Sequence, residues 1–301
     1  MKLDDILKEN YQTVEQKEMV LPQKNKITTP GVELILHAYR KLQECSMVNF
    51  ECKFNEFKRY KYLCRTIIKR IDFQNIIPDD ITQFTLLLPS FKDSSFFPRT
   101  GLFLSGLINY HQEKTMYEGI YTLPVDDLAR DTENISLLGF CNKSNLHIIG
   151  NPGMYACNFM EKGTVTIQGN TDHFLAKEMR GGSIEVFGNT GDILGTDMRN
   201  GTITIQGNVN GMTGGNMHGG IITIHGGTEG FLCPSMTGGK VIIHNYSKRD
   251  IGHRMSGGTI ELFGSYEKIS PECEYGTIIH QGKTIFHKEK PWYKKMIGWI
   301  R

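Results

Sequence analysis

The stretch that decides the fold runs from Gly214 to Gly227 and reads GGNMHGGIITIHGG. Glycine takes six of its fourteen positions, yet the residues from Ile221 to Ile224 between the glycine pairs have the β-branched character of a good strand. Glycine weakens strands, so the glycine pairs on either side of this strand must serve another structural purpose. One such stretch would suggest a phosphate-binding loop, but this stretch returns at a fixed interval.

The stretch belongs to a nineteen-residue repeat that continues without an insertion over six units. Each unit has a methionine, a glycine three positions later and, except at Asn245, a second glycine six positions after the first. Asparagine follows the second glycine in three units and suits a left-handed corner conformation. A register kept this long indicates stacked copies of one structural unit. The methionines are Met160, Met179, Met198, Met217, Met236 and Met255.

Within each unit, apolar residues alternate with mostly polar ones, which is typical of a strand with one buried face. Nineteen residues are too few for a strand, a helix and two loops, but they suit one coil of a parallel β-helix, whose coils stack at roughly 4.8 Å. The glycines then occupy corners where the backbone needs a positive φ or passes close to the next coil. The sequence therefore predicts a mainly β protein, a right-handed single-stranded parallel β-helix of about seven 19-residue coils with a small N-terminal α+β domain.

The repeat pattern G-x-I-x-I-x-G-N, followed by G-x-x-M-x-G-G, resembles the GXGXG β-helix domain. That domain is shared by the C-terminal part of the glutamate synthase large subunit and by one of the subunits of formylmethanofuran dehydrogenase. The resemblance covers about residues 144–282. In those relatives the domain is a non-catalytic scaffold, and the chemistry belongs to other domains or subunits. The resemblance implies a structural or assembly role, with no catalytic residue and no cofactor in this chain.

The chain outside the repeat divides into three further parts. Residues 1–30 are charged and rich in Gln and Lys, and we expect them to be loosely held. The ends of a β-helix expose core and unpaired backbone, so caps are expected at both ends. We therefore assign residues 31–118 to a small α+β capping domain, 119–286 to the β-helix and 287–301 to a basic, aromatic C-terminal cap.

The predicted capping domain contains two helices and several strands. Apolar residues at helical spacing predict helices over Val32–Glu44 and Glu56–Ile71. Ile81–Ser90 is interpreted as a strand that ends at its proline. Thr100–Tyr110 and Gly119–Leu123 are interpreted as irregular first strands that lead into the coils.

The C-terminal part breaks the period. The glycine that precedes each strand recurs every nineteen residues up to Gly258, but the next one, Gly276, comes one residue early. The three residues after Gly276 are predicted to form the strand of the last coil. The sequence KEKPWYKKMIGWIR follows and holds Trp292 and Trp299. This segment can cover the open end of the β-helix, contact a partner, or lie on a membrane surface as a basic aromatic anchor.

Composition narrows the class of protein. The formal net charge of +2 does not favour a nucleic-acid partner. The acidic start MKLDD lacks the positive region of a signal peptide, and no apolar run reaches transmembrane length, so no membrane location is expected. The seven cysteines form no CxxC pair, which indicates reduced and buried thiols. The expected location is the cytoplasm.

Two histidines are the metal candidates in the repeat. His225 and His244 hold the same outward strand position in neighbouring coils, so we expect their rings to lie roughly 5 Å apart. Such a pair can share a metal, titrate as a coupled pair or simply stack on the surface. The coils on either side place Gln206 and Phe263 at this position, so the column offers no third ligand. Dinucleotide binding is not expected, because the glycines lead into strands rather than into a helix.

Four outward strand positions are apolar where most coils carry Thr, Ser, Glu or Gln. Ile221 and Ile242 belong to adjacent coils and are expected to lie diagonally close. An apolar patch on a flat β-face suits either packing against the N-terminal domain or contact with another subunit. The candidate partner-binding residues are Ile221, Ile242, Phe187, Phe263, Trp292 and Trp299.

The function favoured by these observations is a non-catalytic scaffold or assembly subunit with a protein partner or a second copy of the chain. The first alternative is a subunit that completes the site of a partner in an enzyme complex of the formylmethanofuran dehydrogenase or glutamate synthase kind. The second alternative is a small-ligand-binding module, with its pocket between the N-terminal domain and the first coils.

Overall fold

The computed structural model describes residues 29–44, 56–91, 96–126 and 135–291. In these residues four helices precede a parallel β-solenoid of about seven turns, which confirms the predicted β-helix. The helices are α1 Pro30–Glu44, α2 Glu56–Thr66, α3 Pro78–Leu87 and α4 Phe96–Thr115. The strands are β1 Ile120–Pro124, β2 Asn145–Ile149, β3 Thr164–Gln168, β4 Ser183–Val186, β5 Thr202–Ile205, β6 Ile221–Ile224, β7 Lys240–Ile243, β8 Tyr246–Ser247, β9 Ser256–Leu262, β10 Ser265–Tyr266, β11 Tyr275–His280 and β12 Lys283–Lys288.

The coils stack in the predicted register. The main sheet has the order β1-β2-β3-β4-β5-β6-β7-β9-β11-β12 and is parallel up to β11. Ile203 pairs with Ile222, and Ile222 pairs with Val241, each nineteen residues further along the chain. A second line of parallel bridges, such as Leu175 with Leu194, continues the stacking on another side of the coils.

The early end of the repeat is confirmed. Ile260 pairs with Ile278, eighteen residues on, and the register shifts between Tyr275 and Thr277, where Gly276 has a φ of +124°. The last coil then continues into the antiparallel strand β12, which the sequence did not predict.

The two rows of repeated glycines have different physical reasons. Gly201, in the first row, has a φ of +100°, and a Cβ there would lie 2.7 Å from Met179 Cε. Gly207, in the second row, has no positive φ, but a Cβ there would lie 2.6 Å from the carbonyl oxygen of Gly188 in the preceding coil. The first row is therefore fixed by conformation and the second by close backbone approach.

The methionines form a continuous column inside the solenoid. All six are fully buried, and the Cε of each fills the notch left by the missing Cβ of the first-row glycine in the following coil. The prediction that they line up inside the molecule is confirmed. An unbranched side chain can reach this notch beside the corner, whereas a branched one would meet the backbone sooner.

The repeated asparagines are explained by a side-chain ladder rather than by left-handed backbone. Asn170, Asn189 and Asn208 are not among the residues with positive φ, so that part of the corner prediction is wrong. The Oδ1 of Asn170 accepts the backbone N–H of Asn189 at 2.7 Å, and the Oδ1 of Asn189 accepts that of Asn208 at 2.8 Å. Each asparagine therefore satisfies a backbone donor of the next coil.

The strand predicted over Ile81–Ser90 is wrong, because its first part belongs to α3. Pro78 opens the helix, and the Asp80 carboxylate accepts the backbone N–H of the residue before Pro78 at 2.8 Å. These start signals and the helical spacing outweigh the β-branched character of the segment. Fully buried side chains recur at helical spacing at Ile81, Phe84 and Leu88.

The strand predicted over Thr100–Tyr110 is also wrong, because the segment lies within α4. Almost every side chain is buried, so the one-sided pattern of an amphipathic helix is missing. A Cβ on Gly101 would collide with the Ser136 carbonyl, and a Cβ on Gly106 would lie 3.2 Å from Cys64 Sγ. The two glycines, which lower helix propensity, let α4 approach the first coil on one side and α2 on the other.

Polar side chains of α4 join the helices to the first coil. The Ser105 hydroxyl lies 3.0 Å from the Leu137 carbonyl oxygen and accepts the backbone N–H of Phe140. Asn109 Nδ2 donates to the Cys141 carbonyl at 3.1 Å. The helices and coils share one hydrophobic core. In the described residues, the region before β1 is helical, and β1 itself confirms the strand predicted over residues 119–123.

Candidate interaction surface

The outward face of the main sheet carries the apolar residues that the sequence singles out. Phe187, Ile221 and Phe263 expose 42%, 42% and 44% of their surface, and Ile242 is half-buried. These side chains point outward because their strand neighbours, such as Ile222, fill the core. This sheet face is therefore a flat surface with large apolar groups in contact with solvent.

Three rings form a continuous stack on this face. The ring centroids of His225 and His244 are 4.7 Å apart, and those of His244 and Phe263 are 4.9 Å apart with nearly parallel planes. We call these three residues the ring stack. Gln206 occupies the next position and donates to Glu185 at 2.9 Å. The structure thus brings the ring stack together but does not bring Phe187 to it.

The two isoleucines lie diagonally, as predicted. Ile221 pairs with Lys240, and Ile242, two residues further along β7, pairs with Thr223. Lys240 forms an ion pair of 2.6 Å with Glu261 on the next coil. The surface is therefore apolar with a charged pair at one side. Trp292 and Trp299 lie outside the described residues.

The electrostatics of the ring stack favour a neutral imidazole at His244. Burial lowers the pKa of His244, the charge of His225 lowers it further, and Glu261 opposes both effects. In stacked rings the nitrogen lone pairs lie in nearly parallel planes and do not converge on one point. Within the described ranges, no group of three or more His, Cys, Asp or Glu is placed to hold a metal ion. The geometry of the pair is that of an aromatic contact surface.

A second surface feature is an open polar groove of about 440 Å³ beside one corner of the coils. Asn170 and Asn189 of the asparagine ladder line it. His173 Nδ1 accepts the backbone N–H of Asp192 at 2.9 Å, and its Nε2 lies 3.4 Å from the Asp172 carboxylate. The groove therefore presents amide groups and the Asp172 carboxylate on an edge of the solenoid.

An apolar column next to this groove was missed in the sequence. Its residues precede the buried row that contains Leu175 and Leu194, so they alternate to the outside. The rings of Tyr155 and Phe174 stack at 4.8 Å. The nineteen-residue spacing alone would have found the column. We call it the apolar column: Tyr155, Phe174, Ile193, Met212 and Phe231.

The described thiols are structural. Burial raises the pKa of Cys64, Cys141 and Cys157 to about 12 in each case. A thiol with such a pKa holds its proton at neutral pH and is a poor nucleophile and metal ligand. Cys157 and Cys233 share one corner position, and both have a positive φ.

No family model matches the chain, and no curated protein matches it significantly. Among the described residues, no helix is both long enough and apolar enough to cross a bilayer.

Proposed function

We propose that this protein is a non-catalytic scaffold that joins a protein assembly through the outward face of its main sheet. The observation that carries the proposal is the ring stack, which lies exposed on the same sheet face as Ile221, a flat and rigid surface. Exposed aromatic groups on a rigid face are typical of protein contact sites, because little entropy is lost when they are covered.

The regularity of the coils supports the same role. The core is a set of repeated columns, and each coil is held to its neighbours by backbone hydrogen bonds along more than one side. Such a solenoid keeps surface groups at fixed spacings over its length, which suits an extended binding surface. We also propose that the coils are of the GXGXG type. The support is the first-row glycine, with positive φ and a methionine packed against it.

The test compares assembly mass between the wild-type chain and a surface variant. The affinity-tagged full-length protein and the double variant Ile221→Thr/Phe263→Thr are isolated from native extract, and purified samples are examined by sedimentation. We expect the wild type in a stoichiometric assembly, either with itself or with a partner, and the variant close to the 34.2 kDa of one chain.

The matched control is Thr166→Ala, a half-buried outward position on β3 away from the ring stack, which should leave the assembly unchanged. A wild type that sediments and isolates as a single chain would overturn the scaffold proposal. An assembly that survives in the double variant would overturn the assignment of the surface.

A further inference from the structure

The apolar column forms a second surface of the solenoid, separate from the sheet face. The apolar column crosses five successive coils on the outside of the molecule, and Phe231 at one end is 50% exposed. Its members precede buried residues such as Leu175, Leu194 and Leu232, and the four members other than Phe231 are half-buried, with Tyr155 packed against the core. The column is therefore a partly exposed layer on the outside of the core.

The backbone is strained at three of the five positions of the column. Tyr155, Phe174 and Ile193 have φ values of +62°, +63° and +66°. Bulky and β-branched side chains avoid this left-handed region, and glycine adopts it freely. Glycine holds equivalent left-handed corners two residues later at Gly195 and Gly214. Large apolar side chains at strained positions are therefore not required by the corner itself, which favours a binding role for them.

Carboxylates flank the column on both sides. Asp172 and Asp192 lie just before it in the chain, and their carboxylates lie 3.4 Å and 3.6 Å from the ring nitrogens of His173 at the polar groove. Glu178 and Asp197 lie four residues after Phe174 and Ile193. Lys177 is the one lysine between the column and these later carboxylates. The rim of the column is acidic, and a complementary partner surface carries apolar groups flanked by basic ones.

We propose that the apolar column binds a basic amphipathic helix of another protein. Five coils at roughly 4.8 Å give a column of about 19 Å, which an α-helix spans with about 13 residues at 1.5 Å each. One apolar stripe of such a helix covers the column, and lysines or arginines on either side of the stripe meet the carboxylates.

The test uses a fluorescein-labelled 14-residue peptide of Leu and Lys, with Leu at helical i, i+3, i+4 and i+7 spacing, and a matched peptide in which Glu replaces Lys. Binding to the full-length protein is measured by fluorescence anisotropy at two salt concentrations. We expect micromolar binding of the Lys peptide, weaker at high salt, and at least about tenfold weaker binding of the Glu peptide.

Surface variants locate the binding. Phe174→Ser/Met212→Ser and the more exposed Phe231→Ser should weaken binding of the Lys peptide, the double variant by about tenfold. Asp172→Asn/Asp192→Asn should weaken it and reduce its salt dependence. Ile285→Thr, an exposed apolar residue of β12 that belongs to neither surface, is the matched control and should bind as the wild type does. Thermal melting followed by circular dichroism checks that each variant is folded.

Three results would overturn this inference. They are no binding of the Lys peptide, equal binding by the folded Phe231→Ser variant, or an equal loss in Ile285→Thr. None of them affects the scaffold proposal, because the apolar column and the sheet face share no residue. A self-association of the pure protein that disappears in Phe231→Ser would show that a second copy occupies the column and would overturn the proposed partner.

Discussion

The solenoid and the N-terminal helices reach stability by different routes. In the solenoid, the same packing arrangement recurs in successive coils. Met179 and Met198, for example, place the same atom, Cε, against equivalent glycines of the next coil. In the helices, each contact occurs once, as between Ser105 and Leu137 or between Asn109 and Cys141. The solenoid is therefore stabilised by a few contacts that are repeated in each coil, and the helical region by contacts that each occur once.

The glycines show this difference. In the solenoid the same glycine position recurs from coil to coil for one reason, whereas in α4 each glycine has its own local reason. From Gly182 onward, each first-row glycine has a positive φ and a methionine of the preceding coil packed beside it. In α4, Gly101 and Gly106 face different elements for different reasons. A repeated position can be tested at several coils, which gives internal controls that the helical region lacks.

The largest expected effect comes from filling a first-row corner. Gly201→Val places a branched side chain at a φ of +100° and into Met179 Cε, so we expect a loss of about 4 kcal/mol in unfolding free energy. Urea denaturation measures it. Gly282→Ala is the control, because its φ is also positive but a Cβ meets nothing within 4 Å. It should cost only about 1–2 kcal/mol. Equal losses would contradict the packing explanation.

The next effect tests the equivalence of the coils. Met198→Ala and Met217→Ala each remove a fully buried side chain beside a first-row glycine, and each should cost about 3 kcal/mol. The two values should agree within about 1 kcal/mol, since both sites have the same neighbours in adjacent coils. Met198→Leu should cost less than about 1.5 kcal/mol. A large difference between the two alanine variants would show that the coils are not equivalent.

A smaller effect is expected where the helices meet the first coil. Asn109→Ala leaves the carbonyl of Cys141 without its donor in a buried site, so we expect a loss of about 2 kcal/mol in equilibrium denaturation. The exposed Asn210→Ala should change stability by less than about 0.5 kcal/mol. If both variants behaved alike, the junction would owe its stability to apolar packing alone.

The smallest effect is a pH dependence. Burial lowers the pKa of His111, whose Nδ1 lies 2.7 Å from the Tyr121 hydroxyl and whose Nε2 lies 2.9 Å from the Ile76 carbonyl. The unfolded chain therefore takes up a proton near the ordinary value of 6.5 while the folded chain does not, so stability falls as pH drops below about 6.5.

Denaturation at pH 8 and pH 5.5 measures this difference. His111→Gln should reduce the loss of stability on acidification, and His244→Gln, on the exposed face, should reduce it less. A loss that is unchanged in His111→Gln would show that another group causes the acid sensitivity.

Sequence patterns located the solenoid well and the helices poorly. The alternation around Ile203 and the nineteen-residue period are local signals, and each coil repeats them. Around Thr100 the pattern is uniformly apolar, because α4 is covered on almost all sides, and a buried helix then has no periodic face. The candidate surface was found only in part. The outward position of Phe187 was predicted correctly, but the apolar column at Tyr155 lies outside the named strands, and its signal in the sequence is the nineteen-residue spacing.

By itself, the sequence determined that equivalent side chains stack in columns, because a constant nineteen-residue period places equivalent residues at the same point of every coil. It therefore determined the buried methionines, the glycine corners and the early end at Gly276. Only the tertiary structure decided which outward residues meet. Gln206 donates to Glu185, and the backbone N–H of Asp192 donates to His173 at the groove, because these contacts depend on how far each side chain reaches across coils. The tertiary structure also decided how α4 packs. Because this helix has almost no polar face, its sequence lacks the apolar–polar periodicity from which a helix is predicted.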